Sequence, residues 1–194
     1  SSTGSISTPG GYVKLDSGDN GATTLSGLID VSDDEPGQIG GRVELLGMHV
    51  GLFDHARVDA SGAAGGTVLV GGDYQGSNAA IRNSRITYVG ANTSISASAL
   101  SQGDGGTVIV WADENTEFSG SISVNGGERS GDGGFVETSG KQVLDFTGVV
   151  DASAPYGQTG DLLLDPVDIE IRTPNSTSGI QNTSNTWESD DSTG

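Results

Sequence analysis

The stretch G131-D-G-G-F-V-E-T-S-G-K141 places a glycine pair, Gly133-Gly134, directly before a short run that alternates apolar and polar residues. The same arrangement recurs along the chain. Gly10-Gly11 precedes YVKL, Gly40-Gly41 precedes RVEL, Gly65-Gly66 precedes TVLV, and Gly105-Gly106 precedes TVIV. A weaker sixth copy is Thr159-Gly160 before DLLL. Ahead of each pair lies a second short run centred on Ile6, Ile29, Val58, Ile95, Ile122 or Val150, which sets successive intervals of 23, 29, 37, 27 and 28 residues. A third run follows, clearest in TTL (23–25), TEF (116–118), QVLDF (142–146) and DIEI (168–171).

Repeats of this length, with three short alternating runs and almost no helical spacing, predict an all-β solenoid in which each coil gives one strand to each of three parallel sheets. Val13, Val43, Val68, Val108 and Val136 are then expected to point inward and stack. About six coils at ~4.8 Å each make a rod of roughly 25–30 Å. The glycine pairs are expected at corners that need positive φ and close backbone approach. Residues 1–172 form the expected solenoid and 173–194 a polar cap or linker, with Trp187 as its large apolar anchor. Residues 70–93 read as a longer insertion. It either carries binding or packs on the rod as an extended loop.

Only 8 residues are Lys or Arg against 26 Asp or Glu, giving a net charge of −18. Such a surface repels phosphate backbones and anionic lipids, so neither nucleic acid nor membrane insertion is expected. No targeting segment is visible in these residues, and any export signal is expected upstream. Cysteine is absent, which removes disulfides and thiolate metal sites from consideration.

The order GGTVLVGGDYQG, GDGGTVIVWADENTEFSGSIS, GDGGFVETSGKQVLDFTGVVDASA, GDLLLDPVDIEI resembles large exoproteins of the filamentous haemagglutinin type. These are adhesins of Gram-negative bacteria and cyanobacteria exported by two-partner secretion, and high-molecular-weight adhesins share the GGFVETSG and LLDP elements. The resemblance runs from about Gly65 to Ile171 and continues in register back to Ile6. It implies a right-handed parallel β-helix, an outer-membrane pore as secretion partner, a secreted or cell-surface location, and a role in attachment or biofilm cohesion. The family's amino-terminal secretion domain has no evident counterpart in these residues, so an internal segment of a longer exoprotein is expected.

Candidate sites follow from the residues. Trp111 alternates with Val108 and Val110. If those two face inward, its indole faces out, either to stack on a sugar or to be covered by the 70–93 insertion. With Tyr74, Tyr88, Arg82 and Arg85 from the insertion it makes up the expected ligand-binding set, for a polysaccharide or cell-surface receptor. FDHAR brings Asp54, His55 and Arg57 together, but no adjacent repeat copies the cluster, and solvated corner charges account for it; catalysis is not expected.

His49 and His55 lack the partners a zinc site needs. The turns DSGDNGA and ISVNGGERSGDGG offer hard oxygen ligands, so calcium is possible, although turn chemistry alone places Asp and Asn there. Thr67 and Thr107 align, but Tyr12, Arg42 and Phe135 interrupt any threonine array. Asn92, Asn175 and Asn182 begin Asn-x-Ser/Thr triplets that could accept sugar. Display on a rigid rod is the leading functional reading, with a polysaccharide-degrading enzyme or a passive spacer as alternatives.

Overall fold

Alternating residues on strands of three to six residues cannot bury themselves alone; stacking coil upon coil closes their backbone hydrogen bonds and gives one face a continuous core. The computed structural model describes residues 4–167, 180–183 and 186–189. It is a parallel β-solenoid of about five turns with three sheets of six, six and five strands. The first sheet holds Ser5–Ser7, Leu28–Asp30, Arg57–Asp59, Ser94–Ser96, Ser121–Ser123 and Val149–Asp151. The second holds Tyr12–Asp16, Arg42–Leu46, Thr67–Val70, Thr107–Ala112, Phe135–Gly140 and Asp161–Leu163, and the third Ala22–Leu25, His49–Leu52, Ile86–Val89, Asn115–Phe118 and Val143–Phe146.

Register matches the sequence expectation. Ile6, Ile29, Val58, Ile95, Ile122 and Val150 are successive partners in the first sheet. Val13, Val43, Val68, Val108 and Val136 form the inward row of the second, every one buried. The third sheet contributes Leu25, Leu52, Val89 and Phe118, with Phe118 stacked on Phe146 at 5.3 Å. Of the buried threonines, Thr138 on the second sheet leaves its hydroxyl without a partner among the described residues, whereas three others bond theirs to backbone. Thr23, Thr87 and Thr116 donate to the carbonyls of Leu46, Trp111 and Ser139 at 2.6, 2.7 and 2.8 Å, closing the corner between the second and third sheets.

The glycine pairs have a different cause from the one expected. Of the paired glycines only Gly10 has a positive φ, 60°. What excludes a side chain is stacking: a Cβ on Gly41 would strike the Gly11 carbonyl, one on Gly66 the Gly41 carbonyl, and the same collision repeats at Gly106, Gly134 and Gly160. Each glycine carbonyl below also accepts the first N–H of the strand above, as from Thr67 to Gly41 at 3.0 Å and Thr107 to Gly66 at 2.9 Å. Coils therefore touch backbone to backbone at this corner.

Two third-sheet strands were not singled out in the sequence. In HVGL, Gly51 interrupts the alternation, and the Phe53 ring fills the space its side chain would take. ITYV falls inside the stretch assigned to the insertion, yet Ile86–Val89 pairs in register with His49–Leu52 and Asn115–Phe118. The insertion is correspondingly shorter: Gly71, at φ 82°, leaves the scaffold, and Ser84 N–H returns to the Gly71 carbonyl at 2.6 Å. DIEI lies outside the described residues. Within the expected tail, Ile180–Thr183 pairs antiparallel with Thr186–Ser189.

Candidate functional site

On the outward face of the second sheet, Lys14, Glu44, Leu69, Ile109, Glu137 and Leu163 stand in one row. Leu69, Ile109 and Trp111 are 1–3% exposed and, with Ile81, make a second apolar cluster separate from the solenoid core. Its cover is the loop between Gly71 and Ser84. Gly72 and Gly76 lie flat against the indole, so that a Cβ at either would enter the ring. Trp111 Nε1 donates to Asp113 at 3.2 Å, which also accepts from Asn83 Nδ2 at 3.1 Å, and Ser84 Oγ donates to the Trp111 carbonyl at 3.0 Å.

Trp111 therefore does not face solvent as a sugar platform; the covering alternative describes it. The face does alternate as expected, with Val108 and Val110 fully buried on the core side. Burying the indole beneath a loop rather than in water is what an isolated large aromatic on an outer sheet face favours.

The remaining expected binding residues do not converge on one spot. Tyr74, 46% exposed, sits on the single turn Tyr74–Gly76 and leans against Phe135 at 5.9 Å. Tyr88 is on the third sheet, stacked on Phe53 at 5.1 Å. Arg82 reaches down to Asp16 at 3.2 Å and also pairs with Asp19, tying the loop to the first coil. Arg85 grips Glu114 with two bonds of 2.7 and 2.9 Å, which holds the Glu114 carboxyl below and the Arg85 guanidinium above their ordinary values. Both arginines are thus occupied in holding the loop.

The residues of FVETSG and LLDP meet under this loop, a feature that the linear order could not display. Glu137, 0% exposed, accepts from the Gln75 N–H at 3.0 Å, a contact that no residue pattern in the sequence marks. Gln75 has a φ of 51°, and its Nε2 donates to Asp165 at 3.1 Å. Asp165 N–H in turn donates to Ser139 Oγ at 3.1 Å. Burial pushes the Glu137 carboxyl above its ordinary value and the charges of Asp165 and Asp73 push the same way, against hydrogen bonds from Gln75 and Ser139. Beside it, Gln75, Trp111, Lys141, Asp165, Pro166 and Val167 line an open pocket of about 370 Å³.

Asp54, His55 and Arg57 are exposed at a corner, where Arg57 pairs with Asp59 at 3.1 Å. Among the described residues no group of three or more His, Asp or Glu side chains could hold a metal ion. The aspartates of the candidate calcium turns have other partners: Asp132 accepts from Gln158 N–H at 2.7 Å, and Asp16 and Asp19 pair with Arg82. Asn92 is exposed on a turn, Asn182 lies in the antiparallel pair, and Asn175 is outside the described residues. No described helix is long and apolar enough to cross a membrane.

No family model matches the sequence, and no curated protein matches it. Among solved structures, the chain is similar to the HMW1 secretion domain from Haemophilus influenzae, with 29% sequence identity and a TM-score of 0.58. The similarity covers 81% of this chain and 48% of that one, so the chain spans about half the length of the solved domain. It runs to a secretion domain itself, the element that the sequence reading expected to have no counterpart here.

Proposed function

We propose that the chain is a β-solenoid segment of a secreted adhesin of the two-partner-secretion type, exported through an outer-membrane pore partner and contributing to attachment by displaying loops on a rigid rod. The observation that carries this reading is the similarity to the HMW1 secretion domain over 81% of the chain, at 29% identity. The motif order GGFVETSG to LLDP supports it independently. Because the likeness is to a secretion domain, export is the first role assigned, and attachment the second. Within the segment, the loop between Gly71 and Ser84 is the display element, with exposed Tyr74, its neighbour Phe135 and the pocket beside Lys141 and Asp165 as the contact surface for a polysaccharide or cell-surface receptor.

Export and attachment are measured together in cells carrying the exoprotein with and without its pore partner. Gly106→Val, which forces a side chain into the coil below, is expected to lower both the secreted amount and attachment. Tyr74→Ala is expected to leave secretion unchanged and reduce attachment several-fold. Secretion that does not depend on the pore partner would overturn the export role; attachment indifferent to Tyr74→Ala and to replacement of residues 73–80 would overturn the display role.

A further inference from the structure

The corner between the first and second sheets is built from connections of unequal length. Residues 60–66 make a shorter link than its neighbours, 31–41 on one side and 97–106 and 124–134 on the other. A short link between long ones leaves a trough across the rod. Ala63 lies at its base, with Asp34, Glu35, Pro36 and Gly37 on one wall and Leu100, Ser101, Gln102 and Arg129 on the other, enclosing about 310 Å³. That volume is at the lower end of small-molecule sites, about 300–1,000 Å³.

The trough is preformed. Ala63 N–H donates to Gln38 O at 2.7 Å, Leu100 N–H to Gly62 O at 2.7 Å, and Arg129 N–H to Ser101 O at 2.8 Å, so each wall is fixed by backbone bonds to the next coil. Gly37, at φ 84°, closes the acidic wall in a turn in which Gln38 N–H bonds to Glu35 O at 3.1 Å.

Its charges are unpaired. Lys14, Arg42, Arg57, Arg82 and Arg85 all pair with carboxylates, whereas Arg129 makes no ion pair among the described residues. The Asp34 and Glu35 side chains likewise have no partner there, and Leu100 is 44% exposed between the two ends. An anion alone meets two carboxylates on a chain of net charge −18, and a cation alone meets Arg129. A molecule with both charges, held apart, satisfies both walls at once. Arg129 lies three coil steps from Asp34 and Glu35, about 14 Å between backbones at ~4.8 Å per step, with Leu100 one step nearer. Once the arginine side chain reaches inward, a span of two or three peptide residues at ~3.5 Å each fills the remainder.

We infer that this corner trough binds short peptides of two to three residues with free termini, the ammonium end against Asp34 and Glu35, the carboxylate end against Arg129, and an apolar side chain on Leu100 and Pro36. Bidentate guanidinium recognition suits a terminal carboxylate. The inference stands apart from the export and attachment roles and is tested on the purified chain.

Calorimetric titration with Ala-Leu-Ala, its N-acetylated form, its C-terminal amide and glucuronate tests the assignment. Saturable binding of the free tripeptide, at least tenfold tighter than either blocked form and weakened by salt, is expected. Arg129→Gln should cost about tenfold for the free and acetylated peptides and nothing for the amide; Asp34→Asn with Glu35→Gln should spare the acetylated peptide. All three positions are exposed, and circular dichroism should show the variants folded. Absence of saturable tripeptide binding, equal binding of the blocked forms, indifference to Arg129→Gln, or tighter binding of glucuronate would each overturn the assignment.

Discussion

Glu44 and Glu137 stand on the same outward row of the same sheet, 3% and 0% exposed, yet their surroundings push their carboxyls in opposite directions. Around Glu44, burial raises the group, but hydrogen bonds from Arg42 at 2.8 Å and Tyr12 at 2.9 Å, with the charges of Arg42 and of Lys14 at 3.4 Å, outweigh it and hold the carboxyl below its ordinary value. Around Glu137 no cation balances the burial, Asp73 and Asp165 lie nearby, and the group is raised. One glutamate is held by long basic side chains from its own and the preceding coil. The other is sealed by an added loop. Burial of a carboxylate thus does not fix its effect; the charge of what covers it does.

Removing the cover is the most severe way to break this contrast. Trp111→Ala takes away the ring on which Gly72 and Gly76 rest and should destabilise the protein by about 3–5 kcal/mol in denaturant unfolding. It should also let water reach Glu137 and bring that carboxyl back toward its ordinary range, while Glu44 is unaffected. Carboxyl titration followed by NMR reads both groups in one experiment. Loss of stability without movement of Glu137 would separate the loop from the carboxyl.

Glu44→Ala comes next, at about 1–3 kcal/mol, because Arg42, Lys14 and Tyr12 lose a shared acceptor but remain partly in water. Its pH signature follows from the lowered carboxyl. The stabilisation is present above the unfolded-state value near 4.5 and is lost as pH falls through the still lower folded-state value, so Glu44→Gln should flatten acid unfolding in that window.

Glu137→Gln should be the mildest and opposite in sign. A raised carboxyl favours the fold while protonated, below the unfolded value, and that contribution disappears as pH rises through the folded value. The amide keeps an acceptor for Gln75 N–H without the charge, so stability at pH 7 should hold or rise by on the order of 1 kcal/mol. A loss of several kcal/mol at neutral pH would mean that the charge itself anchors the loop.

How much of this was legible depended on periodicity. Ile6 to Val150 and Val13 to Val136 gave the sheets and their register directly, because a side-chain period of two leaves no freedom once one face is buried. HVGL was obscured because the ring over Gly51 comes from Phe53, two residues on, and ITYV because it adjoins an irregular loop. At the candidate site, the alternation placed Trp111 on the outer face but could not say what lay over it. Tyr74 and Tyr88 looked like neighbours in sequence, yet Tyr74 sits on the turn of the covering loop and Tyr88 on a strand of the third sheet. Gln75 carried no signal at all, since what matters is its backbone N–H at a φ of 51°, not its side-chain type.

By itself, then, the sequence determined the repeat, the inward rows and the glycine corners, because each is a local pattern copied coil after coil and its energy is shared between nearest neighbours. Tertiary structure alone decided that the Gly71 to Ser84 loop folds over Trp111, that the glutamate of FVETSG is buried against a backbone N–H from 62 residues earlier, and that a short link at Ala63 leaves a trough with opposite charges on its walls. These depend on which loop happens to lie beside which coil, and loop length, unlike strand alternation, sets no register that a linear pattern can carry.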